Sequence, residues 1–95
     1  MDKPEKNRQR VKKAVALRYD KARDQAPKVI GKGSGHIAEK ILELAREHGI
    51  PVQEDSDLVE VLSSLDLNEQ IPPSAYLVVA EILAFIYRTN ASFKP

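Results

Sequence analysis

The stretch formed by residues 75–87 constrains the fold more than any other part of the sequence. Every side chain in it is apolar or aromatic except Glu81. The run is longer than a typical strand and far shorter than the roughly 20 residues that a membrane-spanning helix needs. It predicts a helix that has Pro73 at its first position and runs to about Thr89. Because this helix is apolar on nearly every side, it is either the central packing element or partly covered by another molecule.

Length and composition indicate one small domain of 95 residues. There is no cysteine, which excludes disulfides, thiolate metal ligands and cysteine nucleophiles and is compatible with a reducing compartment. Residues 1–13 are polar and do not resemble a signal peptide. We therefore predict a cytoplasmic protein.

Charge divides the chain into a basic start and a mildly acidic remainder. Residues 1–13 hold six Lys or Arg against two acids, although the whole chain has a net charge of only +1. We predict a basic tail over residues 1–13, a domain over residues 14–90 and a short tail over residues 91–95. Such a tail leaves open a nucleic-acid-binding function as the alternative. No aromatic residue is interleaved with it, however, so nucleic acid is not expected as a partner.

Apolar patterning predicts short strands alternating with helices. Residues 14–19 alternate large and small side chains and predict a first strand, and residues 29–30 predict a second, antiparallel one. Residues 50–52 predict a third strand, parallel to the second after a right-handed crossover. The fold class that follows is α/β, a single domain with a small mixed sheet of three to four strands packed by three helices.

Two helices are predicted between the second strand and the apolar stretch. The first is capped by Ser34 or a neighbour and ends at Gly49. The second is capped by Ser56 or Asp57. The buried face predicted for the first helix consists of Ile37, Ala38, Ile41, Leu44 and Ala45.

The glycine-rich segment of residues 31–35 is the only motif that suggests a ligand. Glycines before a helix can bind phosphate, but His36 stands where the dinucleotide motif needs glycine, and the Walker order is not met. A flexible turn between strand and helix is the default interpretation. His36 and Glu39 are too few for a metal site. We predict no cofactor, no metal and no catalytic residue.

Several segments in unbroken order resemble one family. They are Ala-Val-Ala-Leu at residues 14–17, Ala-Pro-Lys-Val-Ile-Gly-Lys-Gly at residues 26–33, His-Ile-Ala at residues 36–38 and Ile-Pro-Pro at residues 71–73. Over roughly residues 14–88 the chain resembles the cytoplasmic C-terminal domain of the FlhB family, the export-switch proteins of bacterial flagellar and type III secretion systems.

Two departures from this family bear on function. Members cleave themselves between Asn and Pro of an Asn-Pro-Thr-His motif just before the first strand, where this chain has Gln9, Arg10, Val11 and Lys12. Members also carry a membrane domain upstream. The resemblance therefore implies a stand-alone relative that does not cleave itself and is not an enzyme.

The resemblance implies a substrate-binding patch formed by Ala26, Pro27, Ala80 and Leu83, which would receive short export signals. The alternative is a structural role, in which Ala80 and Leu83 are ordinary core residues and Pro27 only shapes a turn. The implied partners are flagellar or type III export-apparatus proteins and their export substrates, with peripheral association at the membrane export gate also allowed. In the family a further strand precedes the first one, so residues 8–12 here form either a minimal edge strand or an open sheet edge.

Overall fold

The computed structural model describes residues 11–91 as a mixed α/β domain. In chain order the elements are strand β1 (Lys13–Arg18), strand β2 (Lys28–Ser34), helix α1 (His36–Glu47), helix α2 (Ser56–Ser63), a 3₁₀ helix (Pro73–Ala75) and helix α3 (Tyr76–Ala91). The α/β class and the three predicted α-helices are confirmed. Within residues 11–91 the sheet has two antiparallel strands.

One face of the sheet is built from the smallest side chains. Ala14 lies opposite Gly33 and Ala16 opposite Gly31. This face lets α1 approach closely: an added Cβ on Gly33 would lie 2.8 Å from the Cβ of Ile37. Ala38, one residue further along α1, is completely buried. The alternation of large and small residues in β1 therefore gives each face of the sheet its own helical neighbour.

The other face carries the main hydrophobic core. Val15 and Leu17 of β1 pack there against a cluster contributed by α2, the 3₁₀ helix, α3 and two loops. The buried members of this cluster, named the core cluster below, are Ala26, Leu62, Ile71, Ala75 and Val79.

Two lysines tie the strands to α2. The Nζ atom of Lys13 lies 2.9 Å from the Glu60 carboxylate. The Nζ atom of Lys32 donates to the carbonyl oxygens of Ser63 (3.2 Å) and Leu65 (2.5 Å), at the C-terminal end of the helix. The last turn of α2 has no basic residue of its own, so Lys32 supplies the positive charge that this end favours.

The predicted third strand over residues 50–52 is wrong. Ile50 and Val52 are exposed, and Pro51 between them has no N–H to give to a ladder. The chain instead returns to β2 much later: the Val29 N–H donates to Glu69 O (3.0 Å) and the Ile71 N–H to Pro27 O (2.9 Å). A single antiparallel bridge thus takes the place of a third strand, and no further strand occurs in residues 11–91.

The strand β2 is longer than predicted because Gly31 and Gly33 belong to it rather than to a turn. A bulge interrupts the pairing, since Ala16 pairs with Gly31 and Leu17 with Val29, leaving Ile30 without a partner in β1. Val29 is completely buried, whereas Ile30 is about half exposed. The extra residue breaks the strict alternation that a sequence pattern assumes.

The helix ends correct several local predictions. Asp55, not Ser56 or Asp57, caps α2 by accepting a hydrogen bond from the Leu58 N–H (3.0 Å). The residue before α1 is Gly35, with φ of 62° and no side-chain cap, so Ser34 does not cap it. The predicted stop at Gly49 is confirmed, because Gly49 (φ 67°) follows the last residues of α1 and the Ile50 N–H bonds back to Ala45 O at 2.8 Å.

The buried face of α1 is rotated from the predicted one. Ala38 is buried and Ile41 and Ala45 are half-buried, as expected, but Leu42 joins them while Ile37 and Leu44 are exposed. The spacing of the buried set is still that of one helix face. Ala38 is the most buried residue of this face, which fits the alanines and glycines on the facing side of the sheet.

The close packing of α1 on β2 gives a first prediction. We expect Gly33→Ala to lower the free energy of unfolding by about 1–3 kcal/mol, because the new methyl group overlaps Ile37. Urea unfolding followed by circular dichroism measures this.

The matched control is Gly31→Ala. Its new Cβ would lie 3.6 Å from the Ala16 Cβ, an ordinary contact. The change in unfolding free energy should be small or favourable, within about 1 kcal/mol. Equal losses in the two variants would contradict the packing argument.

Candidate protein-binding site

Helix α3 buries only one of its faces. Val79 is buried, and Ile82, Leu83 and Ile86 are half-buried, which is the spacing of a single helix side. Five large apolar or aromatic side chains point elsewhere and are exposed: Tyr76, Leu77, Val78, Phe85 and Tyr87. No helix in the described part of the chain is long and apolar enough to cross a membrane. The sequence left open that α3 is a central packing element enclosed by the rest of the fold. Its exposed side chains show that it is not.

The connection between β1 and β2 carries Ala26 and Pro27. Ala26 is a member of the core cluster, with 4% of its surface exposed, and Pro27 is half-buried. The Pro27 carbonyl accepts the hydrogen bond from Ile71, so this connection is fixed to the segment that leads into α3. The pair is thus fixed both by the burial of Ala26 in the core cluster and by the hydrogen bond between Pro27 and Ile71.

Asp24 holds the same connection through a buried carboxylate. It accepts hydrogen bonds from the Arg18 guanidinium (Nη2 at 3.0 Å) and from the Asp20 N–H (2.9 Å), and Lys28 Nζ lies 4.0 Å away. The Asp20 N–H, and next the Arg18 guanidinium, lower the pKa of the Asp24 carboxyl below its ordinary value of 3.8, while burial opposes them. The end of β1, the turn and the start of β2 all meet at this one side chain.

The four residues of the implied patch fall into two environments. Leu83 is partly buried and packs against the core cluster, of which Ala26 is a member. Ala80 lies one turn before Leu83 and is exposed. Pro27 and Ala80 are therefore the patch members at the surface, and the core interpretation holds for Ala26 and in part for Leu83.

A shallow groove of about 590 Å³ lies beside this surface, between α3 and the turn after β1. It is lined by Tyr19, Asp20, Lys21 and Tyr87. The Lys21 Nζ atom is 5.8 Å from the centre of the Tyr87 ring, within range of a cation–π contact. Tyr87 is one turn beyond Leu83, so the groove continues the flank of α3 that carries Ala80. We did not expect this groove, because nothing in the spacing of Tyr19 and Tyr87 brings them together.

The glycine-rich segment does not form a phosphate loop. Residues 31–34 belong to β2, and Lys32, the one cation within the glycine run, already binds the carbonyls at the end of α2. His36 is exposed and its Nδ1 lies 3.7 Å from Glu39. Among residues 11–91 no group of three or more potential ligands is arranged to hold a metal ion.

Comparison with known proteins identifies the class of this fold. The family described as "FlhB HrpN YscU SpaS Family" matches residues 11–86, about four fifths of the sequence. The chain belongs to this family, and the predicted resemblance is confirmed.

The relatives differ in how much of each one this chain covers. The protein YlqH of Bacillus subtilis is 48% identical over 84 residues, which cover 88% of this chain and 90% of YlqH. The flagellar biosynthetic protein FlhB of Aquifex aeolicus is 40% identical over 77% of this chain but only 21% of that protein. The FlhB of Bacillus subtilis gives similar values, 36% identity over 81% of this chain and 22% of that protein. This chain therefore spans about a fifth of these flagellar relatives.

Two solved structures have the same fold. The cytoplasmic domain of FlhB from Shewanella putrefaciens superposes with a TM-score of 0.74 at 38% identity, covering 79% of this chain and 63% of that one. The PscU C-terminal domain superposes with a TM-score of 0.72 at 27% identity, covering 78% of this chain and 95% of that one. The α/β architecture is that of the cytoplasmic export-switch domains.

The Asp24 contacts give a second prediction. A carboxyl whose pKa is lowered by folding stabilises the native state above its unfolded pKa, and this stabilisation is lost as the pH falls through the native pKa. We expect Asp24→Asn to be less stable than the parent chain at pH 5–7, and the difference to shrink below about pH 4. Urea unfolding at several pH values measures it.

The exposed carboxylate Glu43 on α1 provides the control, as Glu43→Gln removes a charge outside this network. A difference between Asp24→Asn and the parent chain that stays constant down to pH 2 would contradict the role of the Asp24 charge. Amide shifts of Ala26 and Lys28 should move in Asp24→Asn and not in Glu43→Gln.

Proposed function

We propose that this chain is a protein-binding module of a flagellar or other type III export system. It acts in the cytoplasm, and it binds export substrates or components of the export apparatus through the flank of α3 that carries Ala80 together with the neighbouring connection that carries Pro27. Family membership supports the setting. The observation that carries the surface is the exposed apolar flank of α3 beside a fixed turn.

The geometry suits a short, extended or turn-forming peptide with apolar side chains. Ala80 is small and exposed, so a bulky side chain from a partner can approach the helix closely there. Leu83 and Pro27 provide partly exposed apolar walls, and Tyr87 with Lys21 offers an aromatic ring and a cation at the far end. Aromatic side chains are enriched at protein–protein interfaces, and ligand sites are lined mainly by apolar and aromatic side chains.

The proposed surface is tested by titrating the protein with a synthetic peptide that carries the export signal of an early flagellar substrate. At physiological salt we expect backbone amide shifts at Ala26, Lys28, Ala80 and Leu83. Ala80→Asp should weaken binding at least about fivefold, because it places a charge in the apolar contact. Its cost in folding stability should stay below about 1 kcal/mol, because the position is exposed.

The matched control is Val78→Asp on the same helix. Val78 lies about 160° around α3 from Ala80, so it introduces the same charge on the opposite flank. Binding that survives in Val78→Asp and is lost in Ala80→Asp supports the surface. Equal binding in both variants would contradict the proposed surface, provided that circular dichroism shows both to be folded.

Leu83→Asp separates recognition from packing. Leu83 touches the core cluster, so this substitution is expected to cost about 2 kcal/mol or more in stability. Loss of the fold would show a structural role only. Loss of peptide binding in a folded Leu83→Asp protein would extend the surface to this residue.

We further propose that the chain is not an enzyme and does not cleave itself. Gln9, Arg10, Val11 and Lys12 occupy the positions of the family's Asn-Pro-Thr-His motif, so no asparagine side chain is available there to attack its own peptide bond. After prolonged incubation at neutral pH, mass spectrometry should show the intact 10.6 kDa chain. A fragment beginning near residue 10 would contradict this.

A further inference from the structure

The charges of this chain are segregated along the sequence. Residues 47–87 contain no Lys or Arg, although the chain has 15 of them. The same segment contains eight acids: Glu47, Glu54, Asp55, Asp57, Glu60, Asp66, Glu69 and Glu81. The segment that forms α2, the 3₁₀ helix and most of α3 therefore contributes acids and no Lys or Arg.

A second groove lies in this acidic part, on the flank of α3 away from Ala80. Val78, Ile82 and Phe85 follow one another at the spacing of a single helix side and span about 10 Å. Together with Gln53, Asp55 and Glu81 they line an open groove of about 360 Å³. Val78 is 40% exposed and Phe85 57%, so the apolar floor of the groove is open to a partner.

The carboxylates beside this groove are not all neutralised within the domain. Of the two that line it, Asp55 also caps α2 by accepting from the Leu58 N–H. Glu81, by contrast, forms no ion pair with any residue between 11 and 91. An apolar strip bordered by two acids, one of them unpaired, is complementary to a segment that is apolar on one side and basic beside it.

We propose that this groove binds a basic amphipathic helix of a partner protein. Neither α3 nor residues 53–55 offers a free strand edge there, so the partner is held by side chains rather than by strand pairing. Apolar residues of the partner helix contact Val78, Ile82 and Phe85, and its lysines or arginines approach Asp55 and Glu81. This surface shares no residue with the one proposed for export signals.

Two occupants from within the protein itself fit less well. Residues 1–13 are basic, but Met1 and Val11 are their only large apolar side chains, too few for a row of contacts. A second copy would have to present an apolar row of its own. The exposed row on α1 has only Ile37 and Leu44 as large apolar side chains, with Lys40 between them, so it is too short to fill the groove.

The test uses two synthetic 14-residue helical peptides. One consists of leucine and lysine, with the leucines on one face, and the other has glutamate at every lysine position. We expect the lysine peptide to bind at least about tenfold more tightly than the glutamate peptide at low salt, less so at high salt. Amide shifts should cluster in residues 53–55 and 78–85.

Substitutions in the groove distinguish this binding from general attraction to an acidic protein. Phe85→Ala should lower the affinity for the lysine peptide at least about fivefold, and Glu81→Lys should lower it about threefold. The matched controls are Tyr76→Ala, which removes an exposed aromatic ring of α3 outside the groove, and Glu43→Lys, which reverses a charge on α1. Both controls should leave the affinity within about twofold.

Three results would overturn the proposal. One is equal affinity of the groove variants and the control variants. The second is a tighter complex when Arg8 and Arg10 are both changed to alanine, which would mean that the chain's own N-terminal residues occupy the groove. The third is a dimer of the free protein, seen by sedimentation, that dissociates in Phe85→Ala.

Discussion

The pairing of β1 with β2 is the interaction on which the rest of the domain depends. A two-stranded sheet is marginally stable by itself and needs packing on its faces. Here the two faces differ: alanines and glycines on one side admit α1 at close range, and Val15 and Leu17 on the other side meet the core cluster. The sheet is narrow, yet it separates the helices into two layers. The contacts of α2 and α3 follow from which side chains β1 turns toward them.

The turn that joins the strands is more than a connection. Asp24 gathers Arg18, Asp20 and Lys28 around one carboxylate, and the Pro27 carbonyl is fixed by Ile71. This fixed turn lies next to α3, the helix with the most exposed large apolar side chains among residues 11–91. A rigid turn beside an open helix flank is well suited to binding, because little conformational entropy is lost when a partner orders against it. The two flanks of α3 also differ in charge, because Lys21 lies beside one groove and Glu81 lines the other.

Sequence reasoning recovered the parts of the fold that depend on local pattern. The first strand, the stop at Gly49, Pro73 at the start of the last helical segment and the family resemblance could all be read from residue types and spacing. The prediction of a third strand failed because an apolar triplet around Pro51 does not indicate which strand it would pair with. Glu69 and Ile71, which do bond to β2, reach it only through tertiary contacts. The groove of Tyr19 with Tyr87, and the burial of Asp24, depend on residues brought together from distant positions. No spacing rule encodes them.

The lysine that crosses from β2 to the end of α2 has a consequence for how the domain unfolds. An isolated eight-residue helix is too short to be stable in water. The positive charge at the C-terminal end of helix α2 comes from Lys32, and an additional ion pair comes from Lys13; both lysines are on the sheet. Helix α2 is therefore not expected to stay folded once the strands separate. Strands and helix should melt in a single cooperative step, so protection of α2 amides from hydrogen exchange reports on the integrity of the hairpin.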